Sequence, residues 1–152
     1  MGRSGIPRDL PCYERAERFA SPGGAAWRQS QTYSTPSRLR LNQWALSGDW
    51  TIGRKAARSN EAGGRLTHRL RARDVHLVMG PAERGETVRF RVRIDGDPPG
   101  AARGLDVDDR GEGTVVDRRL YQLVRRPGAV DERTFEITFL APGVEAYVFT
   151  FG

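Results

Sequence analysis

An alternating run in the middle of the chain, TVRFRVRI at 87–94, constrains the fold more than any other feature. Val88, Phe90, Val92 and Ile94 fall on one side of an extended strand, and Arg89, Arg91 and Arg93 fall on the other. A period of two marks a half-buried strand, packed on one face and wetted on the other, as antiparallel sheets are. The run TFEITFL at 134–140 repeats the pattern, with Phe135, Ile137 and Phe139 alternating with Thr134, Glu136 and Thr138. Phe90, Val92, Phe135, Ile137 and Phe139 are therefore expected to line the inside of a β-sandwich, a shape that often binds rather than catalyses.

Further strand segments recur about every ten residues, at 39–46, 49–53, 65–71, 74–79, 113–116, 120–124 and 144–151. Turn signals separate them: Ser47-Gly48, Ala62-Gly63-Gly64, Gly80-Pro81, the stretch 95–100, Arg126-Pro127-Gly128 and Ala141-Pro142-Gly143. About eight or nine short antiparallel strands with no long helix between them predict an all-β jelly-roll sandwich of the galactose-binding-like kind. The last segment, 144–151, is apolar on both sides, which suits a central strand or an edge meeting a partner. Before the sheet, residues 1–37 read as a lead and connector that packs on the sandwich or links it to something else. They include a short helical turn at 13–20 ended by Ser21-Pro22-Gly23-Gly24. The sandwich itself is expected over 38–152.

At 152 residues the chain suits one domain with one core, and its 18 Gly and 9 Pro fit a turn-rich all-β protein. No apolar run reaches the roughly 18 residues of a membrane span, and the N-terminus lacks the apolar core of a secretory signal. The net charge of +6 invites a nucleic-acid reading, but the basic residues are nearly all arginine and are interleaved with acids, as in ERAER and DVDDRGE. A solvated mixed-charge surface explains the count, and no nucleic-acid partner is expected. Cys12 is the only cysteine. A thiol-exchange centre needs a resolving partner, so this chain alone is not expected to be a disulfide oxidoreductase.

Three constellations merit attention as sites. Trp44 and Trp50 in LNQWALSGDWTIG are the ligand-binding candidates, because aromatic faces stack on sugar C–H faces while Asn42, Gln43 and Asp49 supply groups for the hydroxyls. The alternative is that both indoles pack inward. Asp106, Asp108 and Asp109, with Asp117 further on, resemble the start of a calcium loop, in which oxygens at alternate positions precede a glycine. Arg110 occupies a ligand position, and a guanidinium repels a cation, so no cofactor is expected beyond a possible irregular Ca²⁺ site. His68 and His76 lie on neighbouring segments and face each other if those segments form a hairpin. No third zinc ligand stands nearby, and a half-buried structural histidine is the expectation for His68. No GxSxG elbow is present, and strand-borne acids are few, so no catalytic residue is assigned.

Five stretches taken together resemble a known module: LNQWALSGDWTIG, RDVHLVMGPA, VRFRVRIDGDPPGAARGLDVD, RLYQLVR and TFEITFLAPGVEAYVFTFG. They are similar to the C-terminal, carbohydrate-binding-module-like domain of DipZ-type and related thioredoxin-family thiol-disulfide exchange proteins of bacteria, from about Tyr13 to Gly152. The resemblance implies a jelly-roll accessory domain without catalysis, in an extracytoplasmic or membrane-associated parent protein whose redox chemistry belongs to a separate CxxC domain. It implies a thioredoxin-like domain or its protein substrates as partners. The alternative function is a glycan-binding module for cell-envelope sugars. The resemblance supplies no calcium site.

Overall fold

The computed structural model describes residues 18–126 and 130–151. Among them are ten strands: β1 (Ser30–Tyr33), β2 (Trp44–Ile52), β3 (Ala57–Ser59), β4 (Gly64–Arg71), β5 (Asp74–Pro81), β6 (Val88–Ile94), β7 (Glu112–Val115), β8 (Arg119–Arg125), β9 (Glu132–Phe139) and β10 (Val144–Phe151). One 3-10 turn, Gly100–Ala102, interrupts the β6–β7 connection. All named strand pairs are antiparallel, in the order β7-β6-β9-β4-β2-β3-β10-β5-β8, with β1 added on β2. The ladder curls over itself as a jelly-roll sandwich, and β2 is the corner. Its first half, Trp44–Ser47, pairs with β4, and its second half, Trp50–Ile52, pairs with β3.

The corner explains why 39–46 and 49–53 read as two strands with a turn at Ser47-Gly48. They are one strand that changes partners at Gly48, which has φ 97. A Cβ at Gly48 would also press on the Gly64 backbone. A glycine at a strand corner signals a bend as readily as a turn. The short strands β1 and β3 carried no periodic signal; they are four and three residues long and mostly polar.

The core follows the alternation. Phe90, Val92, Phe135, Ile137 and Phe139 are all buried, and the register sets Phe90 opposite Phe139, Val92 opposite Ile137 and Ile94 opposite Phe135. The intervening charges pave the outside of that sheet. Arg65 meets Glu136 at 2.9 Å, Arg69 meets Glu132 at 2.8 Å, and Arg89 and Arg91 both reach Glu112. Strand β10 is central, between β3 and β5. Its two apolar sides have a local cause: a register shift between Ala146 and Val148 reverses the inward face, so Val144 and Ala146 point in before it and Phe149 after it.

The expected boundary at residue 38 does not stand for the described residues. β1 pairs with β2, Tyr33 is buried, and Phe19 and Trp27 bridge to Trp44 and Ile52. The Ser21 hydroxyl, itself buried, both donates to the Leu46 carbonyl and accepts its N–H, each at 3.0 Å. Residues 18–37 therefore belong to the sandwich, because its corner strand needs them to cover its backbone and rings. Most of the helical turn expected at 13–20 lies outside the described residues, as does Cys12; its end, Phe19, is an extended bridge. No helix among the described residues is long and apolar enough to cross a membrane.

Candidate functional site: an arginine-lined groove

The two tryptophans do not form a sugar platform. Trp50 is 0% exposed, its indole N–H donates to the Ser47 carbonyl at 2.9 Å, and its ring meets Phe139 edge-on. Trp44 is 6% exposed, with Phe19 4.7 Å away between ring centres. The cavity beside Trp44 holds only about 20 Å³, less than one sugar ring requires. Inward alternation on β2 sends both indoles to the core.

The polar residues once grouped with them are dispersed. Gln43 accepts the Arg40 N–H through its side chain, and Asn42 sits at φ 72 in the turn before β2. Asp49 joins the Ser30, Thr32 and Asn60 side chains. The Ser30 hydroxyl, then the Asn60 amide, hold its carboxyl below the ordinary range, against a small opposing effect of burial.

The four aspartates of the calcium reading are likewise not gathered at one point. Among the described residues, no three His, Cys, Asp or Glu side chains stand close enough to share a metal ion. Asp106 accepts Arg119 Nη2 at 2.8 Å and the Gln122 N–H at 2.7 Å. Burial pushes its carboxyl up, but these two hydrogen bonds and the Arg119 and His76 charges outweigh it and hold the pKa low. Asp108 closes a turn by accepting the N–H groups of Arg110 and Glu112, both at 2.9 Å, and Asp109 is exposed. Strand β7 then carries the chain away to Asp117, which meets the same Arg119 at 3.5 Å. Arg119 thus bridges Asp106 and Asp117, while Asp108 is committed to its own turn.

His68 and His76 do not share a hairpin. His68 on β4 pairs with Trp44 and Phe135, whereas His76 on β5 pairs with Thr150 and Gln122 in the opposite sheet. His68 is buried against Phe149 and Phe151, as a structural histidine is.

A larger cavity lies elsewhere, and its lining includes Asp106 and Asp108 of the stretch that reads as the start of a calcium loop. It is an open groove of about 1130 Å³ at one end of the β10-β5-β8 sheet. The β6–β7 connection builds one wall. After the 3-10 turn, residues 103–106 run antiparallel to the outer edge of β8: Arg103 bridges Val124, the Gly104 N–H donates to Leu123 O at 3.0 Å, and the Asp106 N–H to Gln122 O at 3.1 Å. Gly104 is required here, because a Cβ would collide with the Gln122 carbonyl. Gly111, at φ 83 and pressed on Val92, pins the other end of the connection.

Opposite stand the start of β5 and the end of β8. Asp74 pairs with Arg125 in register, and the Arg126 N–H donates to the Arg73 carbonyl at 2.9 Å. Four arginines, Arg73, Arg103, Arg125 and Arg126, thus line one groove with Asp74, Asp106, Asp108 and Glu112. The signs balance in number but not in availability. Asp106, Asp108 and Glu112 are committed to the partners named above, while the side chains of Arg73, Arg103 and Arg125 make no hydrogen bond or ion pair among the described residues. Arg126 meets Asp131 at 3.5 Å. Such a groove can bind carboxylates or other anions.

Comparison with known proteins places the chain in a family. No curated protein matches the chain. Solved structures of similar fold include a family two carbohydrate esterase from Clostridium thermocellum in complex with cellohexaose and an active-site mutant of such an esterase from the same organism. Each is 13% identical, with a TM-score of 0.47, over 64% of this chain and 27% of the esterase chain. The chain therefore spans about a quarter of the length of those proteins. A family model described as "Thioredoxin like C-terminal domain" matches residues 12–152, nearly the whole sequence. This chain, with its jelly-roll sandwich, belongs to the thioredoxin-like C-terminal domain family.

Proposed function

We propose that the chain is a non-catalytic accessory domain of an extracytoplasmic thioredoxin-like thiol-disulfide exchange protein, which docks on the redox domain or on its substrates. The family match over residues 12–152 carries this reading. A sequence with one cysteine and no CxxC supports it, since thiol exchange passes through a mixed disulfide that a second thiol must resolve. The resemblance to DipZ-type proteins is the ground for the extracytoplasmic part of the reading. In this arrangement the redox domain exchanges thiols, and the sandwich supplies a surface.

The test is to titrate a bacterial CxxC-bearing thioredoxin-like domain of the same class against the purified chain. Saturable binding with Kd of about 10–100 µM, or about −7 to −5.5 kcal/mol, is expected. Absence of binding at millimolar concentration sinks the docking half. The purified chain should also leave insulin disulfides unreduced, and reduction that disappears in Cys12→Ala would make the chain an enzyme.

A further inference from the structure

We propose that the arginine-lined groove is a recognition site for an acidic, extended protein segment. The docking reading supplies the identity of the protein that carries this segment; the chemistry of the groove stands apart from it. The register brings the guanidiniums together from three separate stretches of chain: Arg73 before β5, Arg103 in the β6–β7 connection, and Arg125 and Arg126 at the end of β8. Three of the four make no hydrogen bond or ion pair among the described residues, Arg103 having only the longer-range attraction of Asp108, although arginine on this protein's other sheet is routinely paired with glutamate. A guanidinium offers a planar fork that matches a carboxylate, so an unpaired set facing one groove selects for that group.

Size and sign choose the kind of anion. The groove's roughly 1130 Å³ exceeds the ~300–1,000 Å³ usual for small-molecule sites. Leu105 stands at its rim 73% exposed, an apolar contact that a peptide side chain can cover and a phosphate cannot. Asp74, whose side chain makes no ion pair among the described residues, also lines the groove. It opposes a dense polyanion, which carries a charge at every repeat.

The experiment uses the full chain and a fluorescein-labelled decapeptide with four glutamates, separating serines and one central leucine, followed by anisotropy at low salt. Its glutamine counterpart and tripolyphosphate are the comparisons. The glutamate peptide should bind at least about tenfold more tightly than the glutamine peptide. R103Q/R125Q should remove that preference with an unchanged melting temperature, R103K/R125K should keep part of it, and R54Q/R84Q, exposed arginines outside the groove, should keep all of it. Equal binding of the two peptides overturns the proposal, as does an equal loss in R54Q/R84Q. Tripolyphosphate that binds more tightly than the glutamate peptide also overturns it, since the groove would then be a general anion trap. The two readings separate cleanly. Loss of the peptide preference in R103Q/R125Q with unchanged domain binding supports the groove and places docking on another surface; glutamate-peptide preference without any domain binding supports the groove and sinks docking.

Discussion

Trp50 shows how a single side chain can look like a ligand platform in sequence and be a core residue in fact. Its ring is sealed by the strand corner, its only polar atom is satisfied by the Ser47 carbonyl, and Gly64 and Phe139 close over it. Removing it leaves a large cavity. Trp50→Ala should therefore cost about 3–5 kcal/mol in urea unfolding, and Trp44→Ala a similar or somewhat smaller amount, because Trp44 lies nearer the surface. A folded Trp50→Ala protein with an unshifted midpoint would return the ring to the list of surface residues. At the same scale, Gly104 and Gly111 decide the groove: each lets one backbone approach another at a distance that a Cβ forbids.

At the scale of elements, strands β6 and β9 are two-sided in energy as well as in sequence. The inner side is a run of cross-strand apolar pairs, Phe90–Phe139, Val92–Ile137 and Ile94–Phe135. The outer side is a set of partly exposed arginine–glutamate pairs, each worth roughly 0–1 kcal/mol. Phe135→Ala or Phe139→Ala should each cost about 3–5 kcal/mol and Ile137→Val about 0.5–1.5 kcal/mol. Arg91→Ala, which gives up a 3.4 Å contact with Glu112, should stay within about 0.5 kcal/mol. Chemical denaturation of the four variants checks the register, and equal losses on both faces contradict it. β10 obeys the same rule only in halves, because its bulge reverses the inward face partway along.

The whole molecule responds to pH through carboxylates that tie its connections to its sheets. Asp49 is held low chiefly by the Ser30 hydroxyl and Asp108 chiefly by the Glu112 N–H. Asp95 and Asp106 are pushed up by burial, the largest single effect on each, but held low by opposing effects that together outweigh it, chiefly the Thr134 N–H and Arg133 for the first and Arg119 and the Gln122 N–H for the second. All four have folded pKa values below those of the unfolded chain, so their contribution is present above the unfolded value of about 3.9 and is lost as pH falls through the folded values. The melting temperature should be nearly flat from about pH 8 to pH 5 and should fall below about pH 4. Asp106→Asn should lower it at neutral pH and make the acid fall shallower. A wild-type melting temperature unchanged down to pH 3 contradicts the assignment.

The all-β sandwich was legible because alternation is a local property. Phe90, Val92, Phe135, Ile137 and Phe139 announce their common face from their spacing alone, and the fold obliges them. The family resemblance likewise lies in the order of stretches along the chain, and the family match bears out its coarser part, a thioredoxin-like C-terminal domain. Other features were decided only when distant segments met. Whether Trp44 and Trp50 face a ligand or the core depends on which side of β2 the other sheet covers, and no residue near them states that. Residues 18–37 looked like a connector because they are polar and Gly/Pro-rich, yet they close the corner through Tyr33, Phe19 and backbone pairing to β2. The four aspartates share a motif-like spacing, but Arg119 on β8 reaches Asp106 and Asp117, the two ends of that stretch, before any cation could. Arg73, Arg103 and Arg125 were three charges among many until the strand register set them around one groove. Local periodicity is encoded residue by residue, whereas convergence is a product of topology and appears only in the folded chain.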